Sequence, residues 1–442
     1  MSFKHIYSVG FIYFFILMFI ALFIKDVTSL YSNEMFLTAN ELLVAQGYGD
    51  PRTFIGTALQ IVEDGWITSK NQWVFNLWPP GFILLESLII KIFGPEVPII
   101  FVLQILVSAL FSIVLTLFYK LIYINYSKYI AFSLPLVIFI FPVSRAFLLE
   151  PLGISFGESF SIGFFLLFVL LVVFSHINNS LKEALLAGLF LGLAAYFRSS
   201  FGAILISISF FGLLIIFIFY LFKIWKKREV FEKNIVIRIA VIIFAAFIIS
   251  LPWKIYKTSN ENMRTSVLIF KTLVKTNATL KEEKAGWVMH GRGNMMCLVD
   301  ESTCSNKNND VLLLARTFIL NPIKWYSIRA EVIGDYWFSN TEEIMTRPMS
   351  KPTFESKFIN GIILFMLIAL VFLTIKIKKD NIIILLTWIN ISLFSVYLAV
   401  FTVVHYEVRY FYFPKIYIIF MFLLMMYICF RQDQLEIKDE NV

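Results

Sequence analysis

The chain has 442 residues, 59% of them hydrophobic and only 15% charged, with a mean hydropathy of +0.80; this balance excludes a soluble globular protein and makes the bilayer the solvent for most of the chain. The net charge of +8 would suit nucleic acid, but Lys and Arg sit in short clusters between apolar runs, where they orient a membrane protein, so no nucleic-acid partner is expected. Three cysteines and four scattered histidines make neither a disulfide scaffold nor a zinc spacing.

Tyr7 to Ile24 is apolar, follows the basic MSFKH and precedes no small-residue cleavage site, which predicts a retained first span. In the stretch from Lys25 to about Pro80, SNEMFLTANELLVAQ and DPRTFIGTALQIV carry apolar residues at three- and four-residue spacing, the pattern of amphipathic helices on a membrane surface. Asp50 followed by Pro51 has the order of an N-cap and a first-turn proline. FILLESLIIKIFG, Phe82 to Gly94, is apolar but too short for the roughly twenty residues of a span, and is placed as an interfacial or re-entrant helix.

Further spans are expected at Pro98 to Tyr123, Tyr129 to Ala146, Phe160 to Phe174, Glu183 to Phe197, Phe201 to Phe222, Ile235 to Ser250, Phe358 to Ile375, Asn381 to Val404 and Pro414 to Phe430, about ten in all. The connections YKLIYINYSKY, HINNSLK, KIWKKREVFEK and KIKKD then fall on the side of the N-terminus and are basic, so that side is expected to be cytosolic. Trp253 to Lys357, about a hundred residues of mixed polarity, is too long for a plain connector and predicts a small extracytoplasmic subdomain. The chain divides on this reading into residues 1–252, 253–357 and 358–442. Cys297 and Cys304 share the large outer stretch, an oxidising compartment in which a bridge between them is expected.

The chemistry is sought in the first outer loop. It holds the carboxylates Asp50, Glu63 and Asp64 and leads to NLWPPGF. Asp50 would open a helix with Arg52 beside it, while Trp73, Trp78, Pro79 and Pro80 close the loop, holding a carboxylate at the lipid boundary near an aromatic wall. Such a place suits a lipid-borne substrate. Each residue alone has a plainer reading: solvated carboxylates at a surface, and arginines snorkelling from helix ends.

In their order along the chain, GDPRTFIGTALQIVEDGW, WPPGF and IFG resemble the first outer loop of the GT-C glycosyltransferases, specifically the bacterial relatives of dolichyl-phosphate-mannose protein mannosyltransferases and of the lipid A aminoarabinose transferase. FGESFSIGFFLL resembles their second acidic element, with Glu158 and its neighbour competitor Glu150. GLFLGLAAYFRSS, LPWKIYK and NPIKWYSIRAEVIGDYWF resemble the Gly-rich span ending in an arginine (Arg198), the Pro-Trp entry to the large loop and its closing Asn-Pro helix. HYEVRYFYFP resembles the late Glu-x-Arg-Tyr element, with His405, Glu407 and Arg409. Two departures stand out: Pro-Arg follows Asp50 where a second acidic residue is common, and Tyr256-Lys257 replaces Arg-Asn after Pro-Trp, leaving Lys254 and Lys257 as uncertain substitutes.

The resemblance implies an all-α polytopic GT-C fold in a bacterial inner membrane, with the active site facing the periplasm or exterior. It implies an inverting transfer of a sugar from a polyprenyl-phosphate donor to a glycolipid, glycan or protein acceptor. Asp50 takes the catalytic position with Glu158, while Arg198, Arg409 and Arg52 are candidates for the donor phosphate, and Trp78, Glu407 and His405 for the substrate loop. A divalent cation would fall to Asp50 and Glu158, with helix capping as the rival role for Glu158. Two other functions share this hydropathy. An O-antigen ligase or polymerase would work through His290 and Arg292 in the large loop, and a lipid-linked saccharide flippase would place its polar groups near the midplane.

Overall fold

In lipid, an apolar run can satisfy its backbone only as a helix unless it joins a closed barrel, and among the described residues every regular element is helical. The computed structural model describes residues 3–23, 35–45, 50–149, 157–226, 233–259, 299–300, 302, 311–339, 352–376, 382–403 and 408–440. In chain order the helices are α1 (Phe3–Phe23), α2 (Ala39–Ala45), α3 (Asp50–Asp64), α4 (Val74–Leu77), α5 (Gly81–Phe93), α6 (Ile99–Tyr123), α7 (Lys128–Leu136), α8 (Pro142–Leu148), α9 (Glu158–Ile177), α10 (Leu181–Phe197), α11 (Ser199–Lys226), α12 (Lys233–Ser259), α13 (Val311–Leu320), α14 (Pro322–Trp337), α15 (Phe354–Lys376), α16 (Ile382–Val403) and α17 (Tyr412–Glu440). Eight of them, α1, α6, α9, α11, α12, α15, α16 and α17, are long and apolar enough to cross a membrane. The chain is an integral membrane protein.

The structure differs from the expected ten spans at two places. Tyr129 to Ala146 is not one helix: α7 contains Pro135, passes into a 3₁₀ turn over Val137–Ile140, and α8 restarts at Pro142. Each proline removes a backbone donor and strands carbonyls; Arg145 Nη1 donates to two of them, Phe139 O at 2.8 Å and Ile140 O at 2.6 Å. The other place is α10, which has 17 residues, about 26 Å of helix.

The chain forms two compact units. The first comprises Met1–Arg264, Leu370–Leu393 and Phe420–Val442; the second comprises Thr265–Ala369 and Phe394–Ile419. In the first, one end of the bundle gathers the start of α1, where His5 meets Tyr119 Oη at 2.8 Å, and the end of α9, where Asn179 accepts from Arg238 of α12. The basic connections follow these helix ends in sequence. The opposite end gathers the start of α9, the ends of α10 and α12, and the loop holding α2 to α5. There Thr38 and Glu41 form a reciprocal cap on α2, Glu41 N donating to Thr38 Oγ1 and Thr38 N to Glu41 Oε2, and Ala39 N donates to Pro95 O.

At the core of this unit lies α9, buried along nearly its whole length, with α10 beside it. GLFLG in α10 explains itself by contact distance: a Cβ at Gly188 would lie 2.3 Å from Ile242 O and one at Gly192 2.8 Å from Ala246 O. Small residues four apart let two helix backbones touch, the main source of helix association where lipid removes the hydrophobic drive. In the second unit, Arg329 of α14 is fully buried and donates through Nε to Phe401 O and through Nη2 to Val400 O at 3.2 Å, tying α14 to the end of α16. Ser356 of α15 donates to Ser339 O, just after α14, at 2.8 Å.

Gly188→Val should therefore cost about 3 kcal/mol by overpacking, read as a lower melting temperature of the purified protein in detergent. Gly202→Ala, at a position where no atom of the described residues lies near the added methyl, should cost nothing; equal effects of the two would contradict the close-packing account.

Candidate functional site

Four separate sequence elements meet at the loop end of the first unit. α5 begins immediately after Pro79-Pro80, and its first two residues have little freedom: a Cβ at Gly81 would lie 2.7 Å from Tyr196 O, and Phe82 packs so tightly on Gly157 that a Cβ there would lie 2.6 Å from the ring. Gly157 also has φ +71°, a left-handed conformation that glycine adopts without cost, and it is the residue from which α9 starts. Around this contact Phe54 of α3 meets Trp78 edge-on at 5.4 Å and Phe82 at 5.9 Å, Phe82 meets Phe160 at 6.1 Å, and Phe160 meets Phe197 at 5.6 Å. The Pro-Trp end of α12 joins from the other side, Trp253 lying 5.4 Å from Phe75.

Gly157 is followed by Glu158 and Phe197 by Arg198. Glu158 is the first residue of α9; Arg198 is the extended residue (φ −142°, ψ 136°) between α10 and α11. The two side chains, forty residues apart in sequence, form an ion pair through Arg198 Nη2 and Glu158 Oε1, with both residues buried. The N-cap residue, Gly157, has no side chain to cap the helix, and the Glu158 carboxylate is engaged with the guanidinium. Among the described residues the pair is also incomplete: Glu158 Oε2 and Arg198 Nη1 are buried and have no hydrogen-bond partner.

Sequence reasoning selected both residues but as separate groups. The other selected residues distribute as follows. Asp50 is the first residue of α3 and Pro51 the second, placing its backbone four residues, about 6 Å of helix, before Phe54 in the aromatic cluster; its side chain lies outside the described residues. Arg52 is exposed on the first turn of α3, and Trp78 is half-buried at the end of α4. Glu63 and Asp64 end α3, about 21 Å from Asp50 along the helix, where Asp64 accepts from Thr68 Oγ1 at 3.2 Å and closes a turn. Lys254 is exposed with its Nζ over the Phe247 ring at 4.9 Å. Arg409 lies in the short 3₁₀ turn Val408–Phe411 before α17, in the second unit, with its side chain outside the described residues. His405, Glu407, Glu150, His290, Arg292, Cys297 and Cys304 lie outside them altogether.

No family model, curated protein or solved structure matches the chain. The site therefore has to be judged on its own chemistry. Among the described residues no three His, Cys, Asp or Glu side chains converge as metal ligands, and Glu158 already faces a guanidinium, which repels a second cation. The described residues of this corner fit a divalent metal poorly. They suit an anion better, because Arg198 keeps a spare N–H pair out of water and guanidinium presents a planar fork to phosphate oxygens.

One residue escaped the sequence reading. Glu86 lies one turn beyond Phe82 on the same face of α5, is 2% exposed, and has a buried Oε2 without a partner among the described residues. The signal is a lone carboxylate within FILLESLIIKIFG, a run whose length alone points to an interfacial helix. Burial pushes the Glu86 carboxyl well above the usual carboxylate range, so it enters the fold as a neutral acid.

Two outcomes follow. Arg198→Met should strand a buried carboxylate and cost about 3–5 kcal/mol, whereas the double variant Glu158→Leu with Arg198→Met should recover most of it; equal melting temperatures for single and double variants would contradict the pairing. For Glu86 the folded chain holds a proton that the unfolded chain releases above the ordinary value of 4.5, so its burial costs stability increasingly as pH rises. Glu86→Gln should match the parent in melting temperature near pH 4.5 and exceed it by a margin that widens toward pH 8; a margin independent of pH would contradict a neutral Glu86.

Proposed function

We propose that this chain is a GT-C-type glycosyltransferase that moves a sugar from a polyprenyl-phosphate donor to an acceptor hydroxyl on the extracytoplasmic face of a bacterial inner membrane. The observation that carries the reading is the seating of WPPGF directly on the residues preceding Glu158 and Arg198, which joins the first loop, with Asp50 on it, to a buried cation at the rim of the bundle. In the reaction the bond from the sugar's anomeric carbon to the phosphate oxygen breaks as the bond to the acceptor oxygen forms on the opposite face. Asp50 takes the acceptor's proton, and polyprenyl phosphate leaves with the electron pair. Arg198 receives the developing phosphate charge through its spare nitrogen, with Glu158 as the positioning residue that holds its fork, and Arg52 is a further candidate for the phosphate.

The aromatic wall of Phe54, Trp78, Phe82 and Phe160 fits an apolar tail or a sugar face beside that cation. Against the flippase reading, the buried pair sits at helix ends, where a transporter would favour the midplane. Asp50→Asn keeps the shape and removes the base, so transfer should fall by roughly 10²- to 10⁴-fold at unchanged protein level. Mass spectrometry of envelope lipids and glycans, comparing a deletion strain complemented with parent or variant, reads this directly. The parental amount of the sugar-bearing product with Asp50→Asn would remove Asp50 from the mechanism and turn attention to His290.

A further inference from the structure

The second unit holds a charge that the proposed reaction does not use. Lys415, at the start of the span in α17, is completely buried, and its Nζ has no hydrogen-bond partner among the described residues. The ammonium faces aromatic rings instead, 5.3 Å from the centre of Trp337 at the end of α14 and 5.7 Å from that of Tyr412. Trp337 is fixed in turn, its Nε1 donating to Asn360 O at 3.3 Å and its ring lying 6.5 Å from Phe411.

Ring faces offset only part of the cost of taking an ammonium out of water. Three N–H donors remain without acceptors. A buried cation at the end of a membrane span, walled by aromatics and lacking a carboxylate partner among the described residues, has the composition of an anion site. Lysine meets phosphate as a compact point charge with three rotatable donors, needing no fixed fork.

We propose that Lys415, with Trp337 and Tyr412 as its walls, binds a phosphate group, supplied by a lipid phosphate at the membrane boundary. The inference does not rest on the transferase reading, since binding alone tests it. The full chain, purified in a phosphate-free maltoside detergent, is titrated with farnesyl phosphate, farnesol and inorganic phosphate, and complexes are counted by native mass spectrometry alongside melting temperature. Farnesyl phosphate should bind and raise the melting temperature, farnesol should do neither, and Lys415→Met should weaken farnesyl phosphate binding by about tenfold or more while Lys415→Arg retains it. Should Lys415→Met fail to accumulate, Lys415→Gln decides in its place. Binding of inorganic phosphate as tight as that of farnesyl phosphate, and lost in Lys415→Met, would uphold the phosphate site and assign it to the free anion. Absence of phosphate binding by the parent, or undiminished farnesyl phosphate binding by Lys415→Met, would overturn the proposal.

Discussion

The buried pairing of Glu158 with Arg198 is the constraint around which the loop end of the first unit is arranged. Two ions removed from water cost several kcal/mol each unless they meet, so the start of α9 and the break between α10 and α11 must come together. That junction leaves only a narrow seat for whatever lies above it. Glycine at 157 and at 81 lets the WPPGF segment occupy the seat at backbone distance, and the aromatic side chains of α3, α4 and α9 then fill around Phe82. Deeper in the bundle, Gly188 and Gly192 bring α10 against α12 and so fix the height at which Arg198 emerges.

This construction suits chemistry at a lipid boundary. Interfacial helices carry polar groups over the end of a transmembrane bundle, and a buried guanidinium under them keeps a donor unspent. Water is displaced there by Phe54, Phe82 and Phe160, which strengthens whatever electrostatic contact a phosphate makes. Glu86, one turn beyond Phe82 on α5, is buried too, and burial pushes its carboxyl well above the usual carboxylate range. The separate cation of the second unit, Lys415 against Trp337 and Tyr412, follows the same physical logic of a charge kept dry by rings.

The local elements were largely legible in the sequence, because hydropathy and periodicity act over short distances. The surface helices of the first loop, the short helix after Pro80 and most spans follow from composition and spacing. The break within Tyr129 to Ala146 is also written there, in Pro135 and Pro142, although the run around them is continuously apolar. What the sequence hid is pairing. Glu158 and Arg198 each stood out as a charge at a helix end, yet nothing local says that residues forty apart will neutralise one another. The glycines of GLFLG stood out as a motif, while their reason, two carbonyls on α12, exists only in three dimensions. Glu86 passed unnoticed because an interfacial helix tolerates a carboxylate pointing to water, and only packing shows that this one points away from it.

The central claim is that the first-loop helices and the Glu158–Arg198 corner form one site for a lipid phosphate sugar. Photolabelling tests it most directly: the protein in membranes is irradiated with a polyprenyl-phosphate sugar carrying a diazirine near the phosphate, and labelled peptides are mapped by mass spectrometry. The account predicts labels concentrated in Asp50–Phe93 and in the first turns of α9, reduced by excess unmodified donor and by Arg198→Met in the Glu158→Leu background. Labels confined to lipid-facing α15, or insensitive to competition, would contradict it.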